Sequence, residues 1–224
     1  MQQGDTAPTG ANNAGQILDP YRSHQVEVGA KYAPMRDLML SAALFQAKRP
    51  FAYTNDNGDF AQDGTQKNRG LELMADGHVT HNLRLFGGAT WLDPRLHDTA
   101  SASADGKQVV GVPRFTASML AVYSIEQLPG VDVDTNVRYV GRRATDNAND
   151  SWVGSYTTVD AGASYATRVY NTPVTFRLDV TNLTNRRYWT NVVPGALTGY
   201  TGAGNASAQL GAPREAQLSM QIDF

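Results

Sequence analysis

An all-β fold, an antiparallel meander of about nine strands, is predicted by three features of the chain. Apolar and polar residues alternate over several stretches, glycine and polar turn residues separate those stretches, and the alternation runs on to a terminal phenylalanine, Phe224. Successive strand side chains point to opposite faces, so such alternation makes one apolar and one polar face.

The first strand is read over residues 25–32, where Val26, Val28, Ala30 and Tyr32 share one face and Gln25, Glu27, Gly29 and Lys31 the other. Residues 37–50, 68–76, 82–92 and 113–124 follow as strands in which small residues blur the period. Over residues 131–139 the pattern is clean again, with Val131, Val133, Val137 and Tyr139 against Asp132, Asp134, Asn136 and Arg138. Residues 155–167 form a further strand, and in 174–181 Val174, Phe176, Leu178 and Val180 alternate with Thr175, Arg177, Asp179 and Thr181. The last strand is 216–224.

The links alternate in length. Short ones at 33–36, 77–81, 126–130 and 168–173 take turns with long polar ones at 53–62, 93–108, 143–153 and 187–211. Short turns on one side and long loops on the other describe an outer-membrane barrel with its long loops outside the cell. The loop 187–211 holds Gly195, Gly199, Gly202, Gly204 and Gly211 without a sustained period, so it is expected to be the longest and mobile. Tyr32, Tyr123, Tyr165 and Phe224 fall toward the short-turn ends, and Trp91, Tyr139, Trp152, Tyr188 and Trp189 toward the long-loop ends, as two interfacial girdles would. A charge facing lipid near the midplane costs about 2–4 kcal/mol. Glu72, Arg84, Asp132, Asp134, Arg138, Asp160, Arg177 and Asp179 are therefore expected together on the lumen side.

Composition agrees. The 224 residues carry a net charge of −2 with no basic cluster, which gives no reason to expect nucleic acid as a partner. There is no cysteine, so neither disulfides nor thiolate metal sites are available. The longest strongly apolar stretch, 38–45, is far short of the roughly 20 residues of a membrane helix, whereas membrane strands need only about 9–11 and tolerate a mean hydropathy of −0.39. Asp132, Asp134 and Asn136 lack the glycine and closing glutamate of a calcium loop, and His78 and His81 lack a third ligand, so no metal site is expected. No Ser-His-acid motif is present, and the chain is not read as an enzyme.

Eight segments together carry a family resemblance. They are Gln25-Val-Glu-Val-Gly-Ala-Lys-Tyr32, Asn68-Arg-Gly-Leu-Glu-Leu73, Gly88-Ala-Thr-Trp-Leu-Asp93, Gly111-Val-Pro-Arg-Phe-Thr-Ala-Ser118, Arg138-Tyr-Val-Gly141, Tyr156-Thr-Thr-Val-Asp160, Asp179-Val-Thr-Asn-Leu-Thr-Asn-Arg-Arg-Tyr-Trp189 and Gly211-Ala-Pro-Arg214. In this order the chain resembles the C-terminal barrel of TonB-dependent siderophore receptors of the bacterial outer membrane. The resemblance implies a barrel of roughly 22 strands around an N-terminal plug. It also implies ferric siderophore as the transported ligand, with no cofactor, and energy passed through the TonB complex. The expected partners are that complex, reached through the plug, outer-membrane lipid and lipopolysaccharide, and the barrel assembly machinery, which takes the C-terminal strand.

Two departures are expected to matter. Residues 1–10 have neither the basic start nor the apolar core of a signal peptide, and no plug segment is found. Residues 1–23 therefore read as the remnant of an extracellular loop and 24–224 as the C-terminal part of the receptor barrel. The alternatives are a complete small outer-membrane barrel with a structural or adhesive role, and a soluble β-sandwich. Ferric siderophores are often anionic with planar chelating groups, which favours arginine for charge and Tyr or Trp for stacking. On the long-loop side the candidates are Arg142, Arg143, Trp152, Arg186, Arg187, Tyr188, Trp189 and Tyr200. Against them stands the reading of the aromatics as interfacial anchors and the arginines as lipid-phosphate contacts.

Overall fold

The computed structural model describes residues 5–55, 57–99, 102–193 and 207–223. Among them are thirteen strands: β1 (His24–Met35), β2 (Leu38–Thr54), β3 (Phe60–His78), β4 (Leu83–His97), β5 (Phe115–Ser124), β6 (Val131–Val140), β7 (Arg143–Ala144), β8 (Trp152–Val153), β9 (Tyr156–Val169), β10 (Thr172–Thr181), β11 (Trp189–Val193), β12 (Ser207–Leu210) and β13 (Glu215–Ile222). Nine of them form one sheet in the order β1-β2-β3-β4-β5-β6-β9-β10-β13, and β7-β8 and β11-β12 are two separate hairpins. Every neighbouring pair is antiparallel, so the expected meander of nine strands is the observed one.

The register puts the alternation to work. Opposed residues of an antiparallel pair share a face, and the row Leu178↔Ala163, Val133↔Ala163 and Val133↔Tyr123 is apolar across four strands. On the other face run Asp179↔Gly162, Asp134↔Gly162, Arg84↔Val122 and Glu72↔Thr90. All eight charged residues expected to lie together do so, opposite Val133, Val137, Phe176 and Leu178. None of the described residues covers the apolar face: Val26 is 75 % exposed, Val28 70 % and Leu218 76 %. An apolar surface of that extent is stable only against another apolar phase.

The packed core lies instead beyond the sheet's apolar band, where Tyr53, Leu96, Ala104 and Val109 bury one another with Phe51 and Val112 against them. Strands β2, β3 and β4 continue upward into this region. The link expected at 53–62 is consequently shorter, because Phe60 pairs with Thr54 and the Asn55 Oδ1 accepts the Asn57 and Asp59 N–H groups, both at 3.1 Å, closing a tight turn. The loop expected from residue 93 begins beyond His97 for the same reason, and the one at 143–153 contains the β7-β8 hairpin. Pattern reading stopped each strand where alternation stopped. Backbone pairing continued because the loops supplied a second core.

At the opposite end the turns are short. Tyr170 and Asn171, with φ of 47° and 67°, make the two-residue turn whose twist suits a hairpin. Residues before β1 pack at the long-loop end: Asn13 brackets Phe60 with hydrogen bonds of 2.8 and 2.9 Å, and the Asn12 side chain donates to the Asn57 carbonyl at 2.6 Å. Tyr21 donates its hydroxyl to Asp5 at 2.6 Å, and burial, then that bond, hold its pKa above the ordinary phenol value. Tyr200, Phe224 and the centre of the glycine-rich loop lie outside the described residues.

Candidate ligand-binding surface

The polar face of β6, β9 and β10 is built around one arginine. Alternation brings Asp134, Gly162 and Asp179 into one cross-strand row, and Arg177 reaches both carboxylates. Its Nε donates to the two Asp179 oxygens at 2.9 Å and one terminal nitrogen to Asp134 at 3.0 Å. Asp134 crosses the middle strand to do this because residue 162 is glycine: a Cβ there would sit 2.6 Å from its Oδ1. A guanidinium between two carboxylates fixes all three side chains, and the group keeps one net negative charge on the polar face.

A second network climbs from the same face toward the long loops. Ser118 donates to Asn136 at 3.2 Å, Asn136 to Asp160 at 3.4 Å, and Asp160 accepts the Asn182 backbone N–H at 2.7 Å. Asn182 is buried with φ of 47°, and its amide donates to the carbonyls of Arg186 at 2.9 Å and Ala212 at 3.0 Å while accepting the Arg186 N–H at 2.8 Å. One asparagine therefore holds the segment leading into β11 against the segment leading into β13.

Above it, Arg143 plays the same part for the β11-β12 hairpin. It is buried, donates to the Thr190 carbonyl at 2.6 Å and to the Trp189 carbonyl, and lies 5.7 Å from the Tyr156 ring centroid. Tyr156 stacks on Tyr188 with centroids 4.3 Å apart. Gly111, with φ of 76°, donates its N–H to the Ala144 carbonyl at 3.0 Å, and a Cβ there would lie 2.1 Å from the Val192 carbonyl oxygen. Asn149 completes the assembly by bonding both backbone groups of Gln108, at 2.7 and 2.9 Å, as a strand partner would.

Of the eight sequence candidates, the seven among the described residues are thereby separated. Arg143 and half-buried Tyr188 are structural members of the loop assembly. Arg186, Arg187 and Trp189 are exposed beside them, and the guanidiniums of Arg186 and Arg187 have no protein partner among the described residues. Arg142 lies 4.5 Å over the Trp152 ring and lines a cleft with Trp91 and Phe115, so it belongs to the apolar, outward side. Sequence reading missed Asn149, Asn182 and Gly162, whose partners lie at least 22 residues away for the two asparagines' main contacts and across a strand for the glycine.

Residues 2–183 match the family described as TonB dependent receptor-like, beta-barrel. The chain is 32% identical over 216 residues to the ferrichrome receptor FcuA of Yersinia enterocolitica, covering 95% of this chain and 27% of that protein. It is 29% identical over 184 residues to the ferrioxamine B receptor of Salmonella typhimurium, covering 80% of this chain and 26% of the relative. Among solved structures it superimposes on BauA, the ferric preacinetobactin receptor from Acinetobacter baumannii, with a TM-score of 0.81 and 34% identity over 99% of this chain and 32% of that one. The chain thus spans about a quarter of the length of these curated relatives.

Proposed function

The chain belongs to the TonB-dependent receptor β-barrel family of the bacterial outer membrane, and from that premise we propose that it forms the C-terminal wall of a receptor that imports a ferric siderophore using energy delivered through TonB. The observation that carries this reading is the register, which turns eight charged side chains toward one face and leaves the other a bare apolar surface. Such a sheet suits a polar lumen inside and lipid outside. The relatives are receptors rather than enzymes, and their names include ferrichrome, ferrioxamine B and ferric preacinetobactin receptors.

In this reading residues 24–224 are nine strands of a larger barrel, of about 22 strands in this class. The free edges of β1 and β13 pair with strands supplied by the rest of the receptor, which also supplies the plug and its TonB contact. Closure of the nine on themselves is disfavoured: β1 and β13 run in the same direction, and unpaired edge groups in a bilayer cost several kcal/mol each. β13 presents the alternating C-terminal strand to the assembly machinery. Arg186, Arg187 and Trp189 are the residues of this chain best placed to meet an anionic, ring-bearing ligand above the lumen, with Tyr188 and Arg143 holding their hairpin in place.

The test is a receptor in which this chain replaces the matching segment of FcuA, expressed in cells lacking their own siderophore receptors. TonB-dependent uptake of radiolabelled iron from a ferric hydroxamate or catecholate is expected. A chimera that folds in the outer membrane yet takes up neither class, or takes them up equally without TonB, would refute the reading.

A further inference from the structure

The tip of the β2–β3 hairpin carries the one Asn-Gly pair of the sequence, Asn57-Gly58. The turn itself calls for the glycine: Gly58 has φ of 81°, a left-handed backbone in which a side chain is strained. Its N–H donates to the Asn55 carbonyl at 2.8 Å, and the Asn57 N–H to the Asn55 Oδ1 at 3.1 Å. The Asn57 carboxamide, by contrast, is exposed and has no hydrogen-bond partner among the described residues. Because glycine has no Cβ beside its nitrogen, that nitrogen can reach the Asn57 Cγ with less hindrance than any other residue would meet.

What restrains the pair is the segment before β1. Asn12 donates its side-chain amide to the Asn57 carbonyl at 2.6 Å and its backbone N–H to the Gly58 carbonyl at 2.8 Å. The fit is close, since a Cβ on Gly58 would lie 2.8 Å from the Asn12 Nδ2. The Asn57 C=O and the Gly58 N–H belong to one planar peptide unit, so turning the nitrogen toward Cγ rotates both groups. That rotation breaks the bond to Asn12 and the bond to Asn55 together.

We propose that Asn57 is a self-modification site gated by Asn12. When the clasp opens, the Gly58 nitrogen attacks the Asn57 Cγ and closes a succinimide ring. The new N–Cγ bond replaces the Cγ–Nδ2 bond, and the side-chain nitrogen leaves as ammonia with the proton given up by Gly58. Water then opens the ring at either carbonyl to give aspartate or isoaspartate, with no change of oxidation state.

Isoaspartate routes the main chain through Cβ and Cγ, which lengthens it by one methylene and carries the main-chain carbonyl away from the Asn12 amide. Modification thus removes the contact that restrains it. Residues 5–18, which Asn12 and Asn13 fasten to the hairpin tip, are loosened in one direction only, because the ring opening does not restore the amide. The inference concerns the long-loop end alone and holds whether or not the receptor imports a siderophore.

The experiment ages the intact receptor that carries this sequence in mildly alkaline buffer made with heavy-oxygen water, and follows it by peptide mapping with fragmentation that separates aspartate from isoaspartate. Asn57 is expected to convert before any other asparagine of the chain, taking up one heavy oxygen per event and giving mostly isoaspartate. Proteolysis within residues 5–18 is expected to quicken in step. Asn12→Ala, which deletes one hydrogen bond of the closed clasp, is expected to speed conversion about fivefold. Asn57→Asp supplies the charge without the longer backbone and is expected to keep residues 5–18 protected, as is Asn57→Gln, whose side chain closes such a ring far more slowly. Heat-dependent gel mobility confirms folding. If Asn12→Ala fails to fold, the order of conversion in the wild type and the protection in Asn57→Asp decide. Conversion of Asn57 no faster than that of exposed Asn185, or an Asn12→Ala rate equal to the wild type's, overturns the proposal. So does aged protein that has converted yet keeps residues 5–18 protected.

Discussion

Moving one arginine across one peptide bond's worth of register should decide whether the sheet faces are assigned correctly. Leu178 lies opposite Ala163 on β9 and Leu218 on β13, on the apolar face, while its chain neighbour Asp179 lies opposite Gln217 on the polar one. Leu178→Arg puts a guanidinium into lipid, a cost of about 2–4 kcal/mol near the midplane. Leu178 is 48 % exposed, so roughly half of a leucine's packing against its neighbours is lost as well, about 1 kcal/mol. The sum is about 3–5 kcal/mol. Gln217→Arg places the same group on the other face, beside Asp179, where an exposed ion pair is worth about 0–1 kcal/mol. The assay is urea unfolding of the outer-membrane protein in bilayers, followed by gel mobility. Leu178→Arg is expected to lower stability by at least 2 kcal/mol more than Gln217→Arg, using the lower bound for a lipid-facing arginine. Equal losses, or a larger loss for Gln217→Arg, would show that the apolar face is not the lipid face.

Arg143→Met removes the two hydrogen bonds that pin the β11-β12 hairpin, about 3 kcal/mol of docking energy for charge-assisted bonds, and is expected to speed proteolysis within 187–211 while leaving the sheet's unfolding midpoint unchanged. Unaltered cleavage would mean the hairpin is held by other contacts. Asn149→Ala deletes both bonds to Gln108 and is expected to cost about 1–3 kcal/mol locally, read as faster amide exchange at Gln108; identical protection in the variant would count against the strand-mimic role. Gly162→Val drives a side chain into the Asp134 carboxylate and should be destabilising, with Asp134→Ala in the same chain recovering part of the loss; strictly additive effects in that double-mutant cycle would rule out the coupling.

Much of this protein was legible before any coordinates. Alternation with a period of two is a local property, written in residues such as Val174 to Thr181, and once one face is apolar a slip of one residue would expose every charge to lipid. Strand count, meander order and the facing of Glu72, Arg84 and Arg177 therefore followed from the sequence alone. The family was readable too, because its short segments recur in order along the chain. Tertiary structure decided what depends on pairs distant in sequence. Tyr53 and Leu96 bury each other above the sheet, so β2 to β4 run past the residues where alternation ends. Arg142 and Arg143 are adjacent and chemically identical, yet one lines an outward cleft and the other is buried beneath a hairpin. No local pattern separates them. Their roles are set by which carbonyls, rings and neighbouring side chains the folded loops bring within reach, from the Trp152 ring on the next hairpin strand to the Thr190 carbonyl 47 residues from Arg143.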